Sequence, residues 1–202
     1  MEIVLVRHAL PVRIDATADG SPADPGLSAR GLLQAERVIQ ALAGQDVTAI
    51  YTSPALRARQ TAAPLERALG VNAKIVGGLA EFDTNDASYV PVEELKAAGD
   101  PRWHALMSGA LYSVGVDPVA FRSRVVQAVE QIIARHPGGR AVLVSHAGTI
   151  NAYAGHVLGQ AKDIWFPPAY TSVHRIGAAR DGRRGITSLN ETAHVRDLLT
   201  VK

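Results

Sequence analysis

Short unbroken apolar runs alternate along this chain with longer stretches in which apolar residues recur every three to four positions. Residues 2–6, 48–52 and 141–145 are runs of the first kind, rich in β-branched residues and of the length of a buried strand. Residues 73–79 repeat the pattern more weakly. Stretches of the second kind lie between them. Ser28 reads as a helix N-cap, with Leu27 placed to staple onto Leu32. Leu32, Ala35, Ile39 and Leu42 then form one apolar stripe, and Gly44 stops the helix. Ser53-Pro54 opens a second helix, with Ser as N-cap and Pro in the first turn, running to about Leu69 before Gly70. Asp117-Pro118 opens a third, whose apolar face is Phe121, Val125, Ala128, Val129 and Ile132. Arg135 and His136 suit its negative end, and Pro137-Gly138 ends it. A fourth helix is expected over 148–158.

Between these elements the pattern loosens twice. Residues 9–27 hold Pro11, Pro22 and Pro25 and read as loop. Residues 81–115 hold Pro91, Pro101 and two short amphipathic pieces around Trp103, and read as a cap over one end of the sheet. Near the C-terminus, 170–178 and 185–190 flank Asp181-Gly182 as a hairpin. Strands alternating with helices predict an α/β fold, a three-layer sandwich with a mostly parallel central sheet and an antiparallel edge. The expected organisation is one domain over 1–202 with a cap-like insert at about 81–115. In such a sheet, ligands gather beyond the carboxyl ends of the strands.

Composition narrows the function. Hydrophobic residues make up 47% and charged residues 20% of 202 residues, which excludes a disordered chain. No apolar run approaches the roughly 20 residues of a membrane span. There is no cysteine, hence no disulfide framework, no thiolate nucleophile and no Cys-ligated zinc. The N-terminus lacks a basic segment followed by a long apolar one, so a cytoplasmic location is expected. Net charge is +2, and Arg outnumbers Lys 17 to 4. Those arginines are scattered and aromatics are only 5%, which argues against nucleic-acid binding. Arg also suits phosphate through its planar fork. Nothing in the pattern sets an apolar dimer face apart from ordinary surface.

Two strands end in histidine: 3–6 runs into Arg7-His8, and 142–145 into His146. Carboxyl ends of parallel strands share one side of the sheet, so the two histidines are expected to meet. Tyr51-Thr52-Ser53-Pro54 ends a third strand and opens a helix with Arg57 in its first turn, where free N–H groups already favour anions. No His-x-x-x-His pair occurs and both histidines adjoin these anion-binding features, so no metal and no cofactor are expected.

Val6-Arg7-His8-Ala9, the block Leu27-Ser28-Ala29-Arg30-Gly31, the block Tyr51-Thr52-Ser53-Pro54-Ala55-Leu56-Arg57, Leu79-Ala80-Glu81 and Val144-Ser145-His146-Ala147-Gly148 resemble the histidine phosphatase superfamily, the phosphoglycerate mutase-like group. The blocks stand in that family's order over most of the chain. The resemblance implies that His8 is a nucleophile that becomes transiently phosphorylated. It implies that Arg7, Arg57 and a cationic His146 surround the phosphoryl group, and that Glu81 is the proton donor. Arg13, Ala147 and Thr171 join these as candidate phosphate contacts. The chain departs from the family pattern at Ala9, Pro11 and Ile14, where Gly, a hydroxyl residue and Asn are usual. It also lacks the Gly-x-Trp-Glu-Gly segment after the acid. Arg13 is the candidate replacement anion ligand in that loop, and the hydroxyls of Tyr170, Thr171 and Ser172 are candidates for the pocket. His174 and His194 read as structural or solvated.

The expected activity is a metal-independent phosphomonoesterase acting on a small phosphorylated substrate. A mutase is the alternative. It is disfavoured because the 81–115 insert is short, with only Lys96 and Arg102 as basic residues, and the tail is brief. A non-catalytic phospho-ligand binder is the second alternative, supported by Ala9, Pro11 and Ile14. Desolvation beside Phe82 would raise the pKa of Glu81, and Arg7 and Arg57 would lower it. The sign is left to the structure.

Overall fold

A computed structural model describes residues 1–108 and 115–199. A six-stranded sheet in the order β3-β2-β4-β1-β5-β6 forms its centre. The strands are β1 (Glu2–Arg7), β2 (Ala49–Thr52), β3 (Ala73–Ile75), β4 (Arg140–Ser145), β5 (Val173–Ala178) and β6 (Arg184–Glu191). The first four are mutually parallel, and β5 and β6 add the expected antiparallel edge. Successive strand residues face opposite sides, so each unbroken run supplies two cores at once. Ile3, Leu5, Tyr51 and Leu143 pack with α5 (Pro118–Arg135) and α6 (Ala147–Leu158). Val4, Val6, Ile50, Val142 and Val144 pack on the other face with α1 (Ala29–Ala41) and α2 (Leu56–Leu69).

The helix signals hold with two corrections. Ser28 caps α1, accepting from the Gly31 N–H at 3.0 Å. The buried face of α1, however, is Gly31, Gln34, Ala35 and Val38, continued by Leu42, while Leu32 is half exposed. The cause is the loop at 9–27. A Cβ on Gly31 would collide with the Leu10 carbonyl, and Gln34 accepts from the Leu10 N–H at 2.9 Å while donating to the Leu198 carbonyl. These polar contacts turn the helix away from its most apolar face. The second correction is at α2, whose N-cap position is Ala55 rather than Ser53. Asp24 from the loop accepts from the Leu56 N–H at 2.8 Å, while the Ser53 hydroxyl accepts from the Ala55 N–H at 3.3 Å.

β3 is shorter than expected, because residues Gly77–Leu79 form a 3₁₀ turn. Arg124 of α5 donates to the carbonyls of Gly77, Gly78 and Ala80, and so fixes the segment that delivers Glu81. The insert forms α3 (Val92–Ala97) and α4 (Pro101–Met107); residues 109–114 of its expected span lie outside the described residues. Residues 170–172 form a turn before β5, with Thr171 at φ +55°. A short helix, α7 (Arg196–Leu199), follows β6. No helix among the described residues is long and apolar enough to cross a membrane.

Candidate active site

Parallel pairing puts Arg7 opposite Ser145 at the ends of β1 and β4, so the next residues, His8 and His146, emerge side by side. Their ring centroids lie 5.1 Å apart, and both are buried. The His8 Nδ1 lies 2.8 Å from the Ala9 carbonyl. A carbonyl only accepts, so Nδ1 carries the proton and Nε2 keeps its lone pair. Burial holds the His8 pKa well below the ordinary range, and the neighbouring Arg57, His146 and Arg7 depress it further. The imidazole is therefore neutral and nucleophilic at physiological pH.

His146 is neutral for the same reasons: burial first, then Arg57 and Arg7. The cation expected at His146 is therefore absent from the free site, and a phosphate dianion entering the cavity would reverse the local charge and favour it. Its Nε2 meets the Ser53 hydroxyl at 2.7 Å, and its Nδ1 is buried without a protein partner. Ser53, whose hydroxyl also accepts from the Ala55 N–H at 3.3 Å, thus holds the ring.

The two arginines are nearly fully buried. Arg7 donates to the Pro168 carbonyl at 2.6 Å, reaches Glu93 at 3.5 Å, and stacks 3.9 Å over the Tyr170 ring. Arg57 pairs with Asp83 at 3.0 Å and stacks over Tyr89. Both Nε atoms are buried without partners, an arrangement an incoming oxyanion would satisfy.

Glu81 is buried. Its Oε2 accepts from the Gly148 N–H at 2.7 Å and its Oε1 from the Phe82 N–H at 3.1 Å. Those bonds favour the carboxylate, but burial and the nearby Asp83 outweigh them and raise its pKa to about 7. The sign left open by the sequence is therefore upward, as a proton donor at neutral pH needs.

Arg7, His8, Arg57, Glu81 and Ala147 all line one cavity of about 410 Å³. Three candidates are not on its lining: His146, fully buried beside His8, and Arg13 and Thr171. Arg13 is exposed and held by Asp15 at 2.5 Å and Glu94 at 3.3 Å, because the loop lays it against acidic side chains outside the cavity. Thr171 is buried behind the site; its hydroxyl donates to the Tyr170 carbonyl and its N–H to the Arg7 carbonyl, so it supports the Arg7-His8 backbone. His174 is structural: it is buried between Ser172 and the Asn190 N–H. His194 lies 3.0 Å from the Thr171 carbonyl. Sequence reasoning missed Ser53 as a partner of His146 and Asp83 as a partner of Arg57. Both lie in or beside the quoted blocks, but only folding reveals the pairing. No group of three or more His, Asp or Glu side chains is placed to hold a metal among the described residues.

A buried histidine, two arginine forks and a carboxyl with a raised pKa line one cavity at the carboxyl ends of parallel strands, an arrangement whose chemistry suits phosphoryl transfer. The profile of the histidine phosphatase superfamily (branch 1) matches residues 3–192, and the chain belongs to that family. It is a phosphoric monoester hydrolase by class. Among curated relatives, phosphoserine phosphatase 1 of Hydrogenobacter thermophilus is 27% identical over 199 residues, covering 96% of this chain and 94% of the relative. Among solved structures, a mutant phosphoserine phosphatase from Entamoeba histolytica in complex with phosphoserine superposes with a TM-score of 0.71 at 23% identity, covering 96% of this chain and 98% of that one. A mycobacterial glucosyl-3-phosphoglycerate phosphatase superposes with a TM-score of 0.74 at 21% identity, covering 95% and 99%.

Proposed function

We propose that the chain hydrolyses small phosphomonoesters through a phosphohistidine on His8. The observation that carries this reading is the His8 tautomer: Nδ1–H bonded to the Ala9 carbonyl, leaving the Nε2 lone pair available in a cavity flanked by two buried arginines. Nε2 attacks phosphorus and the P–O bond to the leaving group breaks. The departing alkoxide takes the Glu81 proton. Water then attacks the phosphohistidine, Glu81 recovers a proton from that water, and the P–N bond breaks to release phosphate and neutral His8. The transferring phosphoryl spreads negative charge over three oxygens, so Arg7, Arg57 and the His146 N–H act by fixed electrostatic complementarity. In this reading residues 1–202 are one catalytic domain, the 81–115 insert caps the site, and the protein works in the cytoplasm, which fits a chain without cysteine.

The test is single-turnover trapping with a labelled aryl phosphate. Acid-labile label on His8 is expected, disappearing in a folded His8→Ala variant together with turnover. Undiminished hydrolysis by that variant would overturn the assignment.

A further inference from the structure

The phosphate end of the cavity occupies only part of its volume, and the chemistry of the rest bears on what the ester carries. The insert supplies most of the far wall. Val92 and Leu95 of α3, Trp103, Leu106 and Met107 of α4, and Phe166 line the cavity, with Asn85, Ser88 and Tyr89 as its uncharged polar residues from the insert. Among the described residues, the only cationic side chains on the lining are Arg7, Arg57 and Arg102. The first two belong to the phosphoryl site. Arg102 is already engaged: its Nε and Nη2 hold the two oxygens of Asp100 at 3.0 and 2.8 Å. The remaining charges on the lining are carboxyls, Asp83 and Asp86 beside Glu81. A second anionic group on the substrate would therefore find on the described lining no cation without a carboxylate partner, Arg57 being held by Asp83 and Arg102 by Asp100, and would share that lining with the Asp86 carboxyl.

Resting on the phosphatase reading above, we propose that this site takes phosphomonoesters whose non-phosphate part is apolar, an alkyl or aryl group seated against Trp103, Leu106 and Met107, and that it discriminates against esters bearing a carboxylate. The selectivity arises in the insert, where the sequence departs from its family's pattern. Burial of each methylene against this wall is worth about fourfold in kcat/KM until the cavity is filled.

The experiment compares methyl, butyl and hexyl phosphate with 4-phosphooxybutanoate, which is butyl phosphate with a terminal carboxylate and a similar leaving alkoxide. The expected result is a rise of about tenfold or more in kcat/KM from methyl to hexyl phosphate, and butyl phosphate preferred over its carboxylated analogue by about tenfold. Trp103→Ala should lower the hexyl-to-methyl ratio. Asp100→Asn keeps the N-cap of α4 but releases Arg102, and should narrow the gap between butyl phosphate and 4-phosphooxybutanoate. Preference for the carboxylated ester, or equal rates along the alkyl series with phosphohistidine still formed, would overturn the proposal and leave the phosphatase reading standing. No turnover of any ester and no phosphohistidine would overturn both.

Discussion

Gly148 offers a sharp probe of how Glu81 works, because the substitution acts on the carboxyl without altering its chemistry. Gly148 donates its N–H to Glu81 Oε2 at 2.7 Å, so the backbone lies directly against the side chain. A Cβ built on Gly148 would sit 2.8 Å from two atoms of the Phe82 ring and well inside contact distance of Glu81 Oε1. Carbon atoms pack best at about 3.5–4.0 Å, so the Phe82 ring must retreat by about 0.7 Å, and Glu81 by more. Misplacing a catalytic group by about 1 Å costs on the order of 100-fold. Gly148→Ala should therefore lower kcat/KM for an alkyl phosphate by about 100-fold, since the alkoxide needs the proton. For nitrophenyl phosphate, whose phenolate leaves without one, the loss should stay below about fivefold, because His8, Arg7 and Arg57 are untouched. Overpacking of about 1–3 kcal/mol should also lower Tm by several degrees, so rates are to be compared at 25 °C with folding checked by circular dichroism. In a Glu81→Gln background the further effect of Gly148→Ala on alkyl phosphates should nearly vanish, since both changes remove one function. Equal losses on the two substrates, or additive losses in the double variant, would refute the placement of Glu81 as the proton donor.

Three further outcomes follow from the same geometry. With its pKa raised to about 7 by burial and Asp83, Glu81 is protonated below that pH and loses its proton above it. The kcat/KM for alkyl phosphates should therefore fall about tenfold per unit above pH 7, and Glu81→Gln should abolish that limb along with most of the rate. Ser53→Ala removes the partner of His146 Nε2 and should lower kcat by about tenfold, with Ser53→Thr, which keeps the hydroxyl, recovering activity; equal losses in both would refute the positioning role. Buried His174 has its pKa lowered to about 3 by desolvation, below the unfolded value of 6.5. Its contribution to stability is full above pH 6.5 and is lost as pH falls toward 3, at up to about 1.4 kcal/mol per unit. Urea unfolding of wild type and His174→Gln between pH 7 and 4 should show a shallower slope in the variant, the rest coming from the other buried neutral histidines.

The layered α/β architecture was legible in the residue pattern alone, because strand and helix periods are local and each run of β-branched residues can be satisfied only by burial on both faces. That pattern also determined that Arg7-His8 and His146 share one end of the sheet, since parallel strands leave their carboxyl ends on a common side. The five catalytic candidates followed from that and from the family resemblance. Tertiary structure decided what depends on partners distant in the chain. Asp24, 32 residues before Leu56, accepts from the first turn of α2, and Ser53 meets His146, 93 residues away. Loop contacts at Leu10 set the phase of α1 against its own hydrophobic stripe. Arg13 pairs with Asp15 and Glu94 instead of entering the cavity, and Thr171 lies behind it. The ionisation of Glu81 and His146 was likewise beyond the sequence. It depends on a balance of desolvation, neighbouring charge and backbone hydrogen bonds, and each of those is a distance or a burial that exists only once the chain has folded.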